Sequence, residues 1–175
     1  MIIKIRRTEK KDLPFIMEIV FEARKYFAEN SIPQWQGEYP SERDFAEDIE
    51  GGRSFVAIDD EDTVLGVYCF DTRGDENYNE IFEGEFSSDE PYSAIHRIAV
   101  CAKAKGAGIA GKMVSHAVEM SRELGFRFMR GDTHRLNISM QKMLEKNGFK
   151  HCGIIYLGGK KDSENERFAY EMEIV

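Results

Sequence analysis

Lys105–Gly111 reads KGAGIAG, and what this loop holds decides the fold. Gly106, Gly108 and Gly111 spell G-x-G-x-x-G, the fingerprint of a dinucleotide-binding turn. Asp132 lies 21 residues past the last glycine, near where such a fold places a ribose-binding acid. A glycine triplet alone does not choose a ligand. Its flanks do.

Upstream, YSAIHRIAV (92–100) reads as a strand. Downstream, Ile109, Met113, Ala117, Met120 and Leu124 recur at spacings of four, four, three and four, the buried stripe of a helix ending near Gly125. FRFMRGD (126–132) is a further strand, Asn137–Lys146 a helix with Met140, Met143 and Leu144 inward, and HCGIIYL (151–157) and RFAYEMEI (167–174) a last strand pair. Before the loop stand a strand at Ile2–Arg6, a helix carrying Leu13, Ile16, Met17, Val20, Ala23 and Phe27, and a Pro/Gly-containing loop, NSIPQWQGEYP (30–40). Trp35 and Tyr39 in that loop either line a pocket or, in the plainer reading for Trp35, pack against the preceding helix. A short helix follows from Ser41 to Ile49 with Ser41 as N-cap, then a hairpin of RSFVAI (53–58) and VLGVYCF (64–70). Asp75–Glu90 holds seven acids and no lysine or arginine, which reads as a solvated, extended hairpin tip, or as a rim that draws in a cation.

This order disfavours a dinucleotide fold. Val100 is followed by CAKAK before Gly106, a longer turn than such a fold uses. Only 64 residues remain after Gly111, and the last two strands form a hairpin rather than continuing a parallel sheet. Phosphate binding survives this exclusion. Glycines at a helix start let a ligand approach the backbone, and the first helical turn directs unpaired N–H groups and the positive end of the helix dipole outward. Lys103, Lys105 and Lys112 add charge nearby; an ordinary strand-to-helix turn has no use for these glycines and three lysines within ten residues.

The stretch HRIAVCAKAKGAGIAGKMV (96–114) resembles motif A of the GNAT family of N-acetyltransferases, in which a strand ending in hydrophobic-x-V is followed by Q/R-x-x-G-x-G/A and a helix. Lys105 takes the Q/R place, Gly108 the glycine and Ala110 the final G/A. NISMQKMLEKNGF (137–149) is similar to the family's second block, an asparagine followed by a helix ending in Gly-Phe. The resemblance implies one domain over residues 1–175 and a mixed α/β fold: a mostly antiparallel sheet of about seven strands with helices on both faces. Strands 92–100 and 126–132 are expected to be parallel across the intervening helix.

It also implies acetyl-CoA as acyl donor, its diphosphate on Lys105, Gly106, Ala107, Gly108, Ile109, Ala110 and Gly111. The pantetheine arm is expected to pair with the backbone of Ile98, Ala99 and Val100 in the manner of an added strand. Asn137 either reaches the cofactor or simply caps the last helix.

The family moves the acetyl group to an amine by direct attack in a ternary complex. That chemistry needs a base for the amine, an N–H donor for the developing oxyanion and, where it helps, a proton for the departing thiolate. A strand N–H around Ile98–Val100 is the implied donor. His96 is the first candidate base: alternation puts it on a face with Ile98 and Val100, imidazole titrates near neutrality, and arylalkylamine acetyltransferases look similar there. A buried histidine bonded to backbone is the competing reading. His134, at the end of the next strand, is a second candidate or a turn residue; Glu85, with Glu83, is a weaker one. Many family members carry a tyrosine acid seven residues after the asparagine, and Leu144 stands there instead. Tyr92 or Tyr156 is then the donor, or the thiolate leaves unaided, as a pKa near ~8.5 permits. The missing tyrosine also motivates the alternative of a noncatalytic acyl-CoA-binding sensor or scaffold.

Composition is consistent with these expectations. Hydrophobic residues are 42% and charged residues 32%, ordinary for a globular protein. A net charge of −8 argues against nucleic-acid binding. Three cysteines, Cys69, Cys101 and Cys152, without C-x-x-C spacing suggest a reducing compartment and no zinc framework; D-x-H at Asp132–His134 lacks a third ligand, so no metal is expected. No apolar run approaches ~18 residues, and MIIKIRRTEKKD is too charged for a signal peptide, so no membrane association and a cytoplasmic location are expected. The acceptor is expected to be a small-molecule or peptide amine, and a homodimer through the C-terminal strands follows from the resemblance.

Overall fold

The computed structural model describes residues 2–175; Met1 lies outside the described residues. Seven strands, β1 (Lys4–Arg7), β2 (Ser54–Ile58), β3 (Val64–Asp71), β4 (Ser93–Val100), β5 (Phe128–Thr133), β6 (Lys150–Tyr156) and β7 (Glu166–Glu173), form one sheet in the order β1-β2-β3-β4-β5-β7-β6. The β1/β2, β2/β3, β5/β7 and β6/β7 ladders are antiparallel, and β4/β5 is parallel. Four helices accompany the sheet: α1 (Leu13–Glu29), α2 (Glu42–Glu50), α3 (Ile109–Glu123) and α4 (Ile138–Lys146). The expected mixed, mostly antiparallel sheet of seven strands is the one observed.

The chain divides into two compact units, residues through Phe70 with His96–His116, and Asp71–Ile95 with Ala117–Val175. In the first, Ile16 and Val20 of α1, Val56 of β2, Val67 of β3 and Met113 of α3 are fully buried. Gly66 on β3 permits a close approach: a Cβ there would stand 3.0 Å from the Ala99 carbonyl and 3.2 Å from Ile109 Cγ2, so any larger residue would press on the start of α3. The helix starts follow the sequence. Pro14 occupies the first turn of α1, and Ser41 caps α2 through a capping box with Asp44, whose amide donates to Ser41 Oγ at 3.3 Å. Such a cap contributes about 1 kcal/mol. On α3 the expected stripe holds for Ile109, Met113 and Ala117 but ends before Leu124, which lies past the helix and is 60% exposed. Trp35 packs edge-on against Phe27 of α1 at 5.7 Å, the plainer of the two readings of that ring.

In the second unit the acidic segment departs from expectation. Residues 75–90 are not a free hairpin tip. Phe82 and Ile154 exchange backbone hydrogen bonds at 2.8 Å each way, and Tyr78 is 3% exposed, donating to Asp132 Oδ2 at 2.6 Å. Buried Arg130 of β5 donates to Glu171 of β7 at 2.8 Å and to the Ser88 carbonyl at 2.6 Å, with its guanidinium between the rings of Phe86 and Tyr92. Glu171 in turn accepts from the Ser87 amide (2.8 Å) and hydroxyl. Buried hydrogen-bonded charge and apolar anchors therefore hold a segment whose composition reads as solvated.

Candidate functional site

After Val100 the chain leaves the sheet under local control. The Cys101 amide donates to the Leu65 carbonyl at 2.9 Å, a single tight turn follows over Ala102–Ala104, and Ala104 is buried. Glu22 of α1 accepts the Ala102 amide at 2.7 Å, and the Lys105 ammonium lies 4.3 Å from the Tyr26 ring centre. These anchor the turn from the α1 side. Gly106 and Gly108 then adopt φ of 81° and 76°, the left-handed region open to glycine, and the Gly108 carbonyl accepts the first helical bond of α3, from Lys112, at 3.1 Å.

The first-turn amides of Ile109, Ala110 and Gly111 have no intrahelical acceptor, because the residues that would supply one precede the helix. Residues 105–108 are exposed, and a Cβ built on Gly106 or Gly108 meets nothing within 4 Å. The loop thus combines open space, unpaired donors at a helix N-terminus, and the cations Lys103, Lys105 and Lys112 at the surface. That donor set fits a diphosphate.

The strand entering the loop is irregular. The β4/β5 ladder comprises Ser93 opposite Met129 and Ala94 opposite Arg130; beyond Ala94 no further β4 residue has a ladder partner on β5 among the described residues. Arg97 then takes φ of 50°, a left-handed conformation that costs a side-chain-bearing residue about 1–3 kcal/mol. The alternation expected to align His96 with Ile98 and Val100 does not carry across this turn of the backbone. The Arg97 side chain explains how the conformation is held. Its Nε and Nη2 donate to the two carboxylate oxygens of Asp48 on α2, both at 2.8 Å, and Nη1 donates to the Tyr39 hydroxyl at 2.7 Å. Asp48 is 2% exposed. Neither residue carries a local sequence signal, since the pairing joins positions 49 apart.

Other candidates fall into different settings. His96 is half-buried on β4. His134 is 1% exposed, and both ring nitrogens are committed: the Leu136 amide donates to Nδ1 at 3.1 Å, and Nε2 donates to the Ser163 carbonyl at 2.7 Å. Burial pushes its pKa down, with the Ser163 bond a smaller opposing effect. A ring so engaged ties a turn together, the second of the two readings of this residue. The Tyr92 hydroxyl accepts from the Asp75 amide at 2.9 Å and donates back to the Asp75 carbonyl at 3.4 Å. Glu85 is exposed on the anchored acidic segment. Asn137 caps α4, its Oδ1 accepting from the Met140 amide at 3.2 Å. Leu144 is 2% exposed and Tyr156 is half-buried with its ring 5.5 Å from that of Phe82. Burial raises the thiol pKa of both Cys101 and Cys152, so neither is an activated nucleophile. Among the described residues no cluster of histidine, cysteine or acids could hold a metal, and no helix is long and apolar enough to cross a membrane.

Residues 18–149 match the model of the acetyltransferase (GNAT) family, which spans both the glycine loop and the Asn137 helix. The chain belongs to the GNAT acetyltransferase family. A GNAT-family acetyltransferase from Streptococcus agalactiae is 30% identical, with 98% of this chain and 95% of that one covered and a TM-score of 0.86. A candidate acetyltransferase from Salmonella typhimurium, yncA, solved with its cofactor acetyl-CoA, is 17% identical over 99% of this chain and 94% of that one, with a TM-score of 0.70. A GNAT-family acetyltransferase from Listeria monocytogenes is 18% identical at a TM-score of 0.73, over 98% of this chain and 94% of that one; these last two likenesses speak to the fold alone. As a GNAT acetyltransferase the chain uses acetyl-CoA.

Proposed function

We propose that this GNAT acetyltransferase transfers the acetyl group to a primary amine of a small molecule or peptide, acting as a single functional domain in the cytoplasm. The observation that carries the reading is the loop at Gly106–Gly111, open at Gly106 and Gly108 and flanked by buried Ala104 and Ile109. In this reading the amides of Gly108–Gly111 and the side chain of Lys105 hold the diphosphate, and Asn137 positions α4 as its cap. The β4 backbone from Ile98 to Val100, which has no ladder partner on β5 among the described residues, offers its N–H and C=O groups to an extended ligand.

Acetyl-CoA supplies an acyl carbon already activated as a thioester. The remaining tasks fall to the chain. His96, half-buried on the same strand, takes the proton of the attacking amine, and a β4 amide near Ile98 stabilises negative charge on the carbonyl oxygen. Leu144 cannot donate a proton. Tyr156 is the tyrosine left for that role, and a thiolate of pKa near ~8.5 also departs without one.

Acetyl-CoA consumption over a panel of amines, with His96→Ala beside wild type, tests this reading. Turnover by wild type and a loss of about 10²-fold or more in the variant support it. Tight CoA binding without turnover on a broad panel would replace it with a noncatalytic acyl-CoA-binding module, the alternative that Leu144 motivates.

A further inference from the structure

The distortion at Arg97 is held by a connection the loop reading leaves unused. Arg97 is the one β4 residue with positive φ, and its guanidinium forks onto Asp48, buried on α2. The same guanidinium is bonded to the Tyr39 hydroxyl and lies 5.7 Å from that ring, so the 30–40 loop meets it too. Its Nη2 lies 3.6 Å from Cys69 Sγ on β3. A left-handed residue in a strand reverts toward extended backbone unless its surroundings over-determine it. Here they do: a planar fork with both nitrogens placed, on a carboxylate that is itself buried. The Arg97 φ and ψ together set the direction of the amide that follows, at Ile98.

We propose that Arg97 is a positioning residue for acetyl transfer. Its fork onto Asp48 fixes the turn in β4 and thereby aims the Ile98–Val100 backbone at the acyl donor. The proposal rests on the acetyltransferase reading above. It adds that chemistry, more than cofactor capture, depends on an ion pair whose side chains need not touch either substrate. The diphosphate loop begins several residues later and has its own anchors in Leu65, Glu22 and Tyr26.

The test uses Arg97→Lys, Arg97→Gly, Asp48→Asn and the double variant Arg97→Lys/Asp48→Asn in the full chain, with kcat, KM and CoA affinity measured on each folded protein. Glycine accepts a φ of 50° without strain but loses the fork. It therefore separates backbone comfort from positioning. The expected result is a fall in kcat of about 10-fold to 100-fold in Arg97→Gly and Asp48→Asn, with CoA affinity within about threefold of wild type. Arg97→Lys, which keeps the charge and one contact, retains more kcat than Arg97→Gly, and the double variant loses no more than the worse single variant. Should kcat stay at the wild-type value in Arg97→Gly and Asp48→Asn while only thermal stability drops, the pair is structural and the proposal fails. Asp48→Asn is nearly isosteric and keeps the test open if Arg97→Gly does not fold. A wild-type chain that shows no transfer on any amine instead overturns the functional reading itself.

Discussion

Glycines mark both ends of α3, and they give the phosphate loop an internal control. Gly108 (φ 76°) precedes the helix and Gly125 (φ 82°) follows it, and a Cβ built on either meets nothing within 4 Å. Replacing either by alanine therefore causes no clash, and the folding cost is backbone alone. Left-handed φ costs an alanine about 1–2 kcal/mol. The reduced freedom of the unfolded chain returns roughly 0.4–1 kcal/mol, leaving about 0.5–1 kcal/mol net. For a chain of this size that lowers Tm by about 1–4 °C, equally for Gly108→Ala and Gly125→Ala. Cofactor binding separates them. In the proposed site the diphosphate packs against Gly108, before the helix, whereas Gly125 follows the helix at its other end. We expect CoA affinity to fall at least tenfold, or about 1.4 kcal/mol, in Gly108→Ala and to be unchanged in Gly125→Ala. In a thermal-shift assay at a CoA concentration of ~100 times the wild-type Kd, stabilisation drops from about 2.7 to about 1.4 kcal/mol in the first variant only. Equal CoA affinity in both variants and wild type refutes the placement of the diphosphate.

Lys105→Glu places an anion at the mouth of the same loop and removes the ammonium from Tyr26; CoA affinity should fall about tenfold at low salt, with the difference shrinking as ionic strength rises, and an unchanged Kd in calorimetry counts against the site. His96→Gln should depress kcat while leaving CoA affinity intact, and a pH–rate profile should lose its acid limb; a profile with the wild-type limb means the base lies elsewhere. His134 gives a stability prediction with a definite sign. Its folded pKa lies below its unfolded value, so as pH falls from about 6.5 the unfolded chain takes up a proton that the native chain refuses, and stability declines until the folded pKa is passed. His134→Gln should flatten that slope in denaturant titrations between pH 7 and 5. A wild-type slope in the variant assigns it to other groups.

Much of this fold is legible because its signals are local. The stripe Ile109–Met113–Ala117, the caps at Ser41 and Asn137, and the strand–loop–helix around KGAGIAG each depend on neighbours within a few positions, and each appears where the pattern places it. What the sequence hides is held across long separations. Asp75–Glu90 reads as solvated because its own residues are acids, whereas its anchors, Ile154 and Glu171, lie far along the chain. His134 reads as either a candidate base or a turn residue until the Ser163 carbonyl, 29 residues on, is seen to accept a hydrogen bond from its ring. Arg97 carries no mark at all: positive φ in a strand is invisible in HRIAV, and Asp48 sits inside an ordinary amphipathic helix. The glycine loop and its helix are therefore readable from neighbouring residues, whereas the contacts that hold Arg97 and His134 are not.

Gly106, Gly108 and Gly111 are three of 15 glycines, so a chain labelled with ¹⁵N-glycine reports on them within a sparse amide spectrum. Titrating CoA into it asks directly whether the loop grips the diphosphate. The account predicts that these three resonances move furthest and saturate together at one Kd, with NAD leaving them in place. Their staying still while glycines elsewhere respond to CoA, or their answering NAD alone, would contradict it.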